Sequence, residues 1–440
     1  MSNPSAAALK GGLQTADAAR PLHGVQGLAY GALGLPLAFV ALPLTVHLPE
    51  HYARELGVPL ATVGALLLAV RATDAISDPW LGRWADQLLR QAQPLRLSLV
   101  LLLAAALLAF SLWGLFSPPA ALLAASAQGD ATGLLAWAAG LLLVAYLAYS
   151  FLTVLHQAWG TGLGASEPAQ ARVVAWREGA ALVGVVVASV LPSVWGVSAL
   201  GPVVAVLLLL ALAGLWWAPR PQTVPLLKQA RALWAPWRDG RFRRLLGIYL
   251  VNGVASAIPA TLLLFYLRDR LQAPEAQAMS LALYFCAAAL SLPVWVKLVS
   301  RMGLAQGWLL GMGLAIVAFI GASVLGPGDV AWFGAICVAS GLALGADITA
   351  APALLARLKG DATTEAEDAG LRFGWWNLVT KLNLALAAGL ALPLLQWWGY
   401  QPGVVSAQGA TALALMYGLL PCLLKACAAG LLYLLWIRKE

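Results

Sequence analysis

Charge is what this sequence has least of. Only 10% of its 440 residues are Asp, Glu, Lys or Arg, against roughly 25% in an ordinary water-soluble domain. Another 61% are hydrophobic, and mean hydropathy is +0.81. So few charges cannot cover such a core in water, which excludes a soluble globular domain. Cysteine and histidine are scarce as well, at four each. Cys286, Cys337, Cys422 and Cys427 sit in apolar runs without metal-ligand spacing, and the histidines form no cluster. That excludes a disulfide framework and a local zinc or haem motif. With no Ser/His/Asp set, Walker loop or HExxH, the chain is not read as an enzyme and no cofactor is expected. Residues 1–20, rich in Ala, Gly and Ser, lack the apolar segment of a signal peptide and are expected to form a short cytoplasmic tail ending at residue 22.

What is present in quantity is apolar sequence in spans of about 20 residues, the length that crosses a bilayer as a helix. Twelve are predicted, over 24–47, 60–82, 96–116, 132–160, 171–194, 200–218, 245–267, 276–298, 304–325, 330–356, 371–397 and 409–437. The 43 Gly and 25 Pro are compatible with this, because neighbouring helices satisfy the backbone groups that such residues free. With the N-terminus inside, 20 of the 27 Lys and Arg fall in cytoplasmic segments, leaving Arg54, Arg268 and Arg270 on the opposite face. The net charge of +8 is therefore an orientation signal that puts both termini in the cytoplasm, and no nucleic-acid partner is expected. The expected setting is a cell membrane, the inner membrane of a bacterium, with the lipid bilayer as partner and the chain a monomer.

The longest polar interruption, 219–244, holds Pro221, Pro225, Pro236 and seven cationic residues. It separates a six-helix bundle over 23–218 from a second over 245–437. This layout resembles the major facilitator superfamily, an all-α membrane fold of twelve helices in two six-helix halves, with the substrate held near the midplane between them.

A charge at the bilayer centre costs at least roughly 2.5–3.5 kcal/mol on insertion scales, so intramembrane ionisable residues are the natural functional candidates. They are Arg71, Asp74 and Asp78 in the second span, Arg177 and Glu178 in the fifth, Asp347 in the tenth, Lys381 in the eleventh and Lys425 in the twelfth. Asp74 and Asp78, four apart, share one helical face. Two carboxylates that close either share a proton or hold a cation together; the plain alternative is neutralisation by an internal ion pair, with Arg71 three residues before Asp74. Lys381 is the counter-charge expected from the other half. Arg177 suits an anionic or hydroxylated group or a gating ion pair. Thr153, His156 and Gln157, with Asn252, Asp347, Trp376 and Asn377, complete the polar set expected at a substrate cavity. A lone intramembrane histidine such as His156 is more often a helix-packing residue than a proton relay, Asp347 is equally read as a structural pair, and Lys425 is read as a packing ion pair or a snorkelling side chain.

The run Gly57-Val58-Pro59, Val63-Gly64, then Arg71-Ala72-Thr73-Asp74-Ala75-Ile76-Ser77-Asp78-Pro79 with Gly82 and Asp86 resembles the second helix of the glycoside–pentoside–hexuronide:cation symporters, the melibiose permease-like family. Arg177, Ala346-Asp347-Ile348, and Lys381 after Gly374 fall in the family's order. The resemblance implies an alternating-access symporter of a small sugar or glycoside. Asp74, Asp78 and Ser77 would bind the coupling ion, H⁺ or Na⁺, near Lys381 and Arg71, with Arg177 at the substrate. The family's sugar-binding acids on helices 1 and 4 correspond to Ala38 and Leu152. These losses leave a lysophospholipid or other amphiphile as an alternative substrate, and a proton-driven drug exporter as an alternative function.

Overall fold

The computed structural model describes residues 22, 24–48, 51–58, 60–91, 93–164, 166–221, 232–358, 369–400 and 407–439. The tail at 1–21, Pro59 of the motif and residues 222–231 of the basic linker lie outside that set.

The described residues form twelve long helical elements. They are α1 (Val25–Gly31 and Gly34–Leu42, continued by a π-helical turn Pro43–His47), α2 (Leu60–Arg90), α3 (Pro94–Phe116), α4 (Thr132–Thr161), α5 (Glu167–Trp195) and α6 (Leu200–Trp217). Then come α7 (Gly240–Phe265), α8 (Gln277–Met302), α9 (Leu304–Phe319), α10 (Val330–Ala356), α11 (Ala369–Trp397) and α12 (Ala407–Ala414, a π-helical segment Leu415–Leu419, and Leu420–Leu435). Among the described residues, nine helices, all but α2, α5 and α11, are long and apolar enough to cross a membrane by length and composition.

Several boundaries differ from the sequence reading. Helix α2 runs on past Pro79 to Arg90 rather than stopping at 82, because a polar amphipathic end continues the helix beyond the apolar span. For the same reason α7 begins at Gly240, inside the expected linker; the side chain of Asp239 accepts from Arg241 N (2.8 Å) and caps it. A short helix Ala120–Ala127 precedes α4. Between the two, the Asp130 carboxylate accepts from Thr132 N at 3.0 Å, which holds its pKa below the ordinary value.

Close helix contacts rest on small residues. At Gly31 and Gly34 of α1, any Cβ would run into the backbone of Trp176 and Arg177 on α5. A Cβ at Gly82 of α2 would meet Gly370 of α11, and one at Gly374 would meet the Asp78 carbonyl.

Successive helices alternate in direction, so the start of α1, the end of α2 and the end of α12 share one face, the terminal face. There the buried core is continuous between the halves: Leu88, Leu155 and Val173 belong to the same apolar cluster as Leu304, Leu354, Leu371 and Leu432. A second cluster, including Ile258, Leu262, Tyr266, Phe333 and Leu413, fills the other end of the C-terminal half and contains no described residue of the N-terminal half. The two halves are thus joined at the terminal face and separate away from it.

Candidate functional site

Asp74 and Asp78 project from one face of α2 toward α4 and α11, and both are buried, Asp78 with no exposed surface. Lys381 of α11 enters between them. Its Nζ lies 2.5 Å from Oδ2 of Asp74 and 2.8 Å from Oδ2 of Asp78. It also donates to Ser150 Oγ of α4 (3.1 Å), and Ser150 in turn donates to Asp74 Oδ1 (2.6 Å). The Lys381 contact with Asp78 is an ion pair without hydrogen-bond geometry, so neither carboxylate oxygen of Asp78 accepts a hydrogen bond from a described residue. Pro79 follows directly and removes the N–H that a helix would offer the Ala75 carbonyl. Two carboxylates against one ammonium leave this centre with a formal charge of −1.

Two of the expected members are elsewhere. Arg71 donates from Nε to Tyr146 OH of α4 (3.2 Å) and makes no ion pair with either aspartate among the described residues. Helical side chains lean toward the N-terminus, so Arg71 points away from Asp74, one turn further on. Ser77 donates its hydroxyl to the Asp74 backbone carbonyl (2.8 Å), the local bond that serine commonly makes in helices. Ser150, absent from the expected set, occupies the hydroxyl position among the carboxylates. It falls on the α4 face of Thr153 and Gln157, three and seven residues before them, which is the signal that would have found it.

Below this centre, toward the terminal face, Asn377 donates to Gln157 Oε1 (3.1 Å) across the halves. Trp376 stacks on Tyr249, ring centroids 3.5 Å apart, and Tyr249 pairs with Thr380 (2.8 Å). The passage then closes. Asp86 accepts from both Gly370 N (2.6 Å) and Leu371 N (2.8 Å), the first turn of α11, and Glu167 accepts from Leu304 N (2.8 Å) at the start of α9. Both carboxylates occupy helix N-termini of the opposite half, where unpaired N–H groups and the helix dipole favour negative charge.

The remaining candidates divide. His156 hydrogen-bonds through Nε2 with the Tyr30 carbonyl (2.9 Å), while Tyr30 OH donates to the His156 carbonyl (3.0 Å). This reciprocal clamp holds α1 to α4 and directs the imidazole into packing. Arg177 is buried and pairs with Glu178 (2.8 Å). Asp347 and Asn252 lie apart from the Asp74–Asp78–Lys381 centre, in a separate cluster with Lys425 inside the C-terminal half. Leu152 has no exposed surface and belongs to the N-terminal core, so the ungapped register does not bring it to a cavity.

A family model described as MFS/sugar transport protein matches residues 22–439. The chain belongs to this family. This transporter also resembles solved structures over nearly its whole length. A bacterial homologue of the iron transporter ferroportin, in the outward-facing state, superposes with TM-score 0.70 at 15% identity, covering 94% of this chain and 99% of that one. FucP, a Major Facilitator Superfamily transporter in the outward conformation, gives TM-score 0.64 at 12% identity, covering 92% and 97%. A further structure of the E. coli fucose:proton symporter FucP gives 0.63 at 13%, with the same coverage. At these identities the likeness establishes the major facilitator fold alone. No functionally curated protein matches the transporter.

Proposed function

We propose that this transporter is a cation-coupled symporter in which Asp74 and Asp78 hold one H⁺ or Na⁺ and Lys381 is the internal competitor for the same carboxylates. The observation that carries this reading is the placement of a single ammonium between two buried carboxylates from the other half. Empty, the centre has one uncompensated charge, which is costly to seal inside an apolar bundle. One added proton or Na⁺ makes it neutral. The cation also takes over part of the work of Lys381, loosening the tie between α2 and α11 on which the closed terminal face depends.

With the termini cytoplasmic, as the positive charge distribution supports, the closed terminal face makes this an outward-facing arrangement. The cycle then runs by rocking of the halves. Cation and solute enter from outside, the outer ends approach, and Asp86 and Glu167 release the N-termini of α11 and α9. The solute is a small hydroxylated compound of the sugar or glycoside type. The Tyr249–Trp376 stack beside Thr380, Gln157 and Asn377 supports this class, since it joins an aromatic face with neutral hydrogen-bonding groups. The family's description and the likeness to a fucose:proton symporter agree with it.

The test is uptake into proteoliposomes of a panel of radiolabelled monosaccharides and glycosides, with pH and Na⁺ gradients imposed separately. Accumulation driven by one gradient, and lost in Asp78→Asn, is expected. Solute movement indifferent to both gradients would overturn the coupling.

A further inference from the structure

The C-terminal half contains a half-open cavity of about 160 Å³ lined by α7, α8, α9, α10 and α12. Its base is the second buried charge cluster. Lys425 of α12 pairs with Asp347 Oδ2 of α10 (2.7 Å) and donates to Asn252 Oδ1 (2.9 Å) and Ser256 Oγ (3.2 Å) of α7. Asp347 Oδ1 accepts from Trp308 Nε1 of α9 (2.7 Å) and Asn252 Nδ2 (3.3 Å). All three ammonium protons have acceptors, both carboxylate oxygens have donors, and the formal charge is zero. This differs from the cation centre, where charge is left over. A charged occupant of the cavity would have to pull the Lys425–Asp347 pair apart.

The rest of the wall is apolar and aromatic, with Ala260, Phe285, Ala315 and Phe319 among its members. Five hydroxyls interrupt it, on Ser256, Ser280, Tyr284, Ser340 and Tyr417; Ser340 already donates to its own helix, at the Ile336 and Cys337 carbonyls. Ser256 accepts from Lys425 and so keeps its own proton to donate. Two helix irregularities shape the space. Tyr417 sits on the π-helical segment of α12, a distortion often found at binding sites. Pro259 interrupts α7 and leaves the carbonyl of Ala255, a lining residue, without its helical donor. For scale, an apolar protein cavity of about 150 Å³ takes up one benzene.

We infer that this cavity binds a neutral, single-ring-sized apolar group that carries a hydroxyl, the chemistry of a phenol or aryl alcohol. The ring fills the apolar part, and the hydroxyl meets Ser256, Tyr284 or Tyr417. Binding there is separate from the cation centre and does not depend on coupled transport.

The probe is 4-fluorophenol, followed by fluorine NMR on the full chain in phosphatidylcholine nanodiscs. Saturable binding above the level in empty nanodiscs is expected. Ala315→Phe, which fills the cavity, should weaken it at least about tenfold, and Ala260→Phe, at an exposed wall position less demanding on folding, should do the same. Tyr417→Phe should weaken it about two- to tenfold, the value of one hydrogen bond. Fluorobenzoate and fluorobenzylammonium should bind at least about tenfold more weakly than the phenol, and Asp78→Asn should leave phenol binding unchanged. Binding that is non-saturable, equal in wild type and both filling variants, or as tight for either charged probe would overturn the assignment.

Discussion

Lys381 and Asp78 meet at 2.8 Å across the boundary between the two halves of the protein. The contact is lopsided: the lysine side chain keeps 28% of its exposure while the carboxylate keeps none. The partner that can reach solvent is therefore the one that can let go; under the proposed coupling, a cation would take its place at the buried carboxylate.

Replacing Lys381 by Ala should leave two unpaired carboxylates and lower thermal stability. Because Lys381 is partly exposed, the loss should be about 1–3 kcal/mol, below the roughly 3–5 kcal/mol of a fully buried broken pair. Adding Asp78→Asn to Lys381→Ala should recover part of that loss, since one charge leaves with the other. Unfolding followed in detergent by intrinsic tryptophan fluorescence gives the comparison; strictly additive losses would count against a shared charge centre.

Ser150 joins Lys381 to Asp74, donating to one and accepting from the other. Ser150→Ala should raise the half-saturating cation concentration about tenfold, near the upper range for one hydrogen bond, while the maximal response persists. A titration of cation-induced thermal shift reads it directly.

Asp86 holds the first turn of α11 through two charge-assisted hydrogen bonds. Asp86→Ala should shift the population toward opening of the terminal face. A cysteine introduced at buried Leu371 reports it: labelling by a water-soluble maleimide should rise about tenfold or more, as expected for losing roughly 1.5–3 kcal/mol. No change in rate would mean that the apolar contacts alone keep the face shut.

Gly374 lets α11 approach the Asp78 carbonyl with no room for a side chain. Gly374→Val should wedge α2 from α11, speed the same labelling, and lengthen the Lys381 contacts enough to weaken the cation response. Gly374→Ala should do so to a smaller extent.

How much of this was readable beforehand divides along physical lines. Carboxylates four apart on one helix face each other's surroundings whatever the fold, and a lone lysine in the other half is their natural counter-charge, so Asp74, Asp78 and Lys381 were legible. The span count was legible because lipid demands closed backbone hydrogen bonding over a fixed length. Arg71 and Ser77 were misplaced because sequence spacing ignores direction: an arginine N-terminal to an aspartate leans away from it, and a helical serine turns back to its own carbonyl. Ser150 stayed hidden as a single hydroxyl in an apolar helix, unremarkable until α4 lies beside α2. His156 drew notice as an intramembrane histidine, yet Tyr30 of α1 absorbs it, a partner 126 residues away that only the fold supplies. Asp347 and Lys425 were each visible; that they belong to one neutral cluster with Asn252, Ser256 and Trp308 required the packing of four helices.

The most direct test of the cation centre is the thermal stability of the purified protein over a matrix of pH and Na⁺ concentration, for wild type, Asp74→Asn and Asp78→Asn. The wild type should show a saturable stabilisation by H⁺ or Na⁺, and each substitution should abolish that dependence while leaving a cooperative transition. A stabilisation of unchanged size and midpoint in either variant would contradict the assignment of the coupling ion to Asp74 and Asp78.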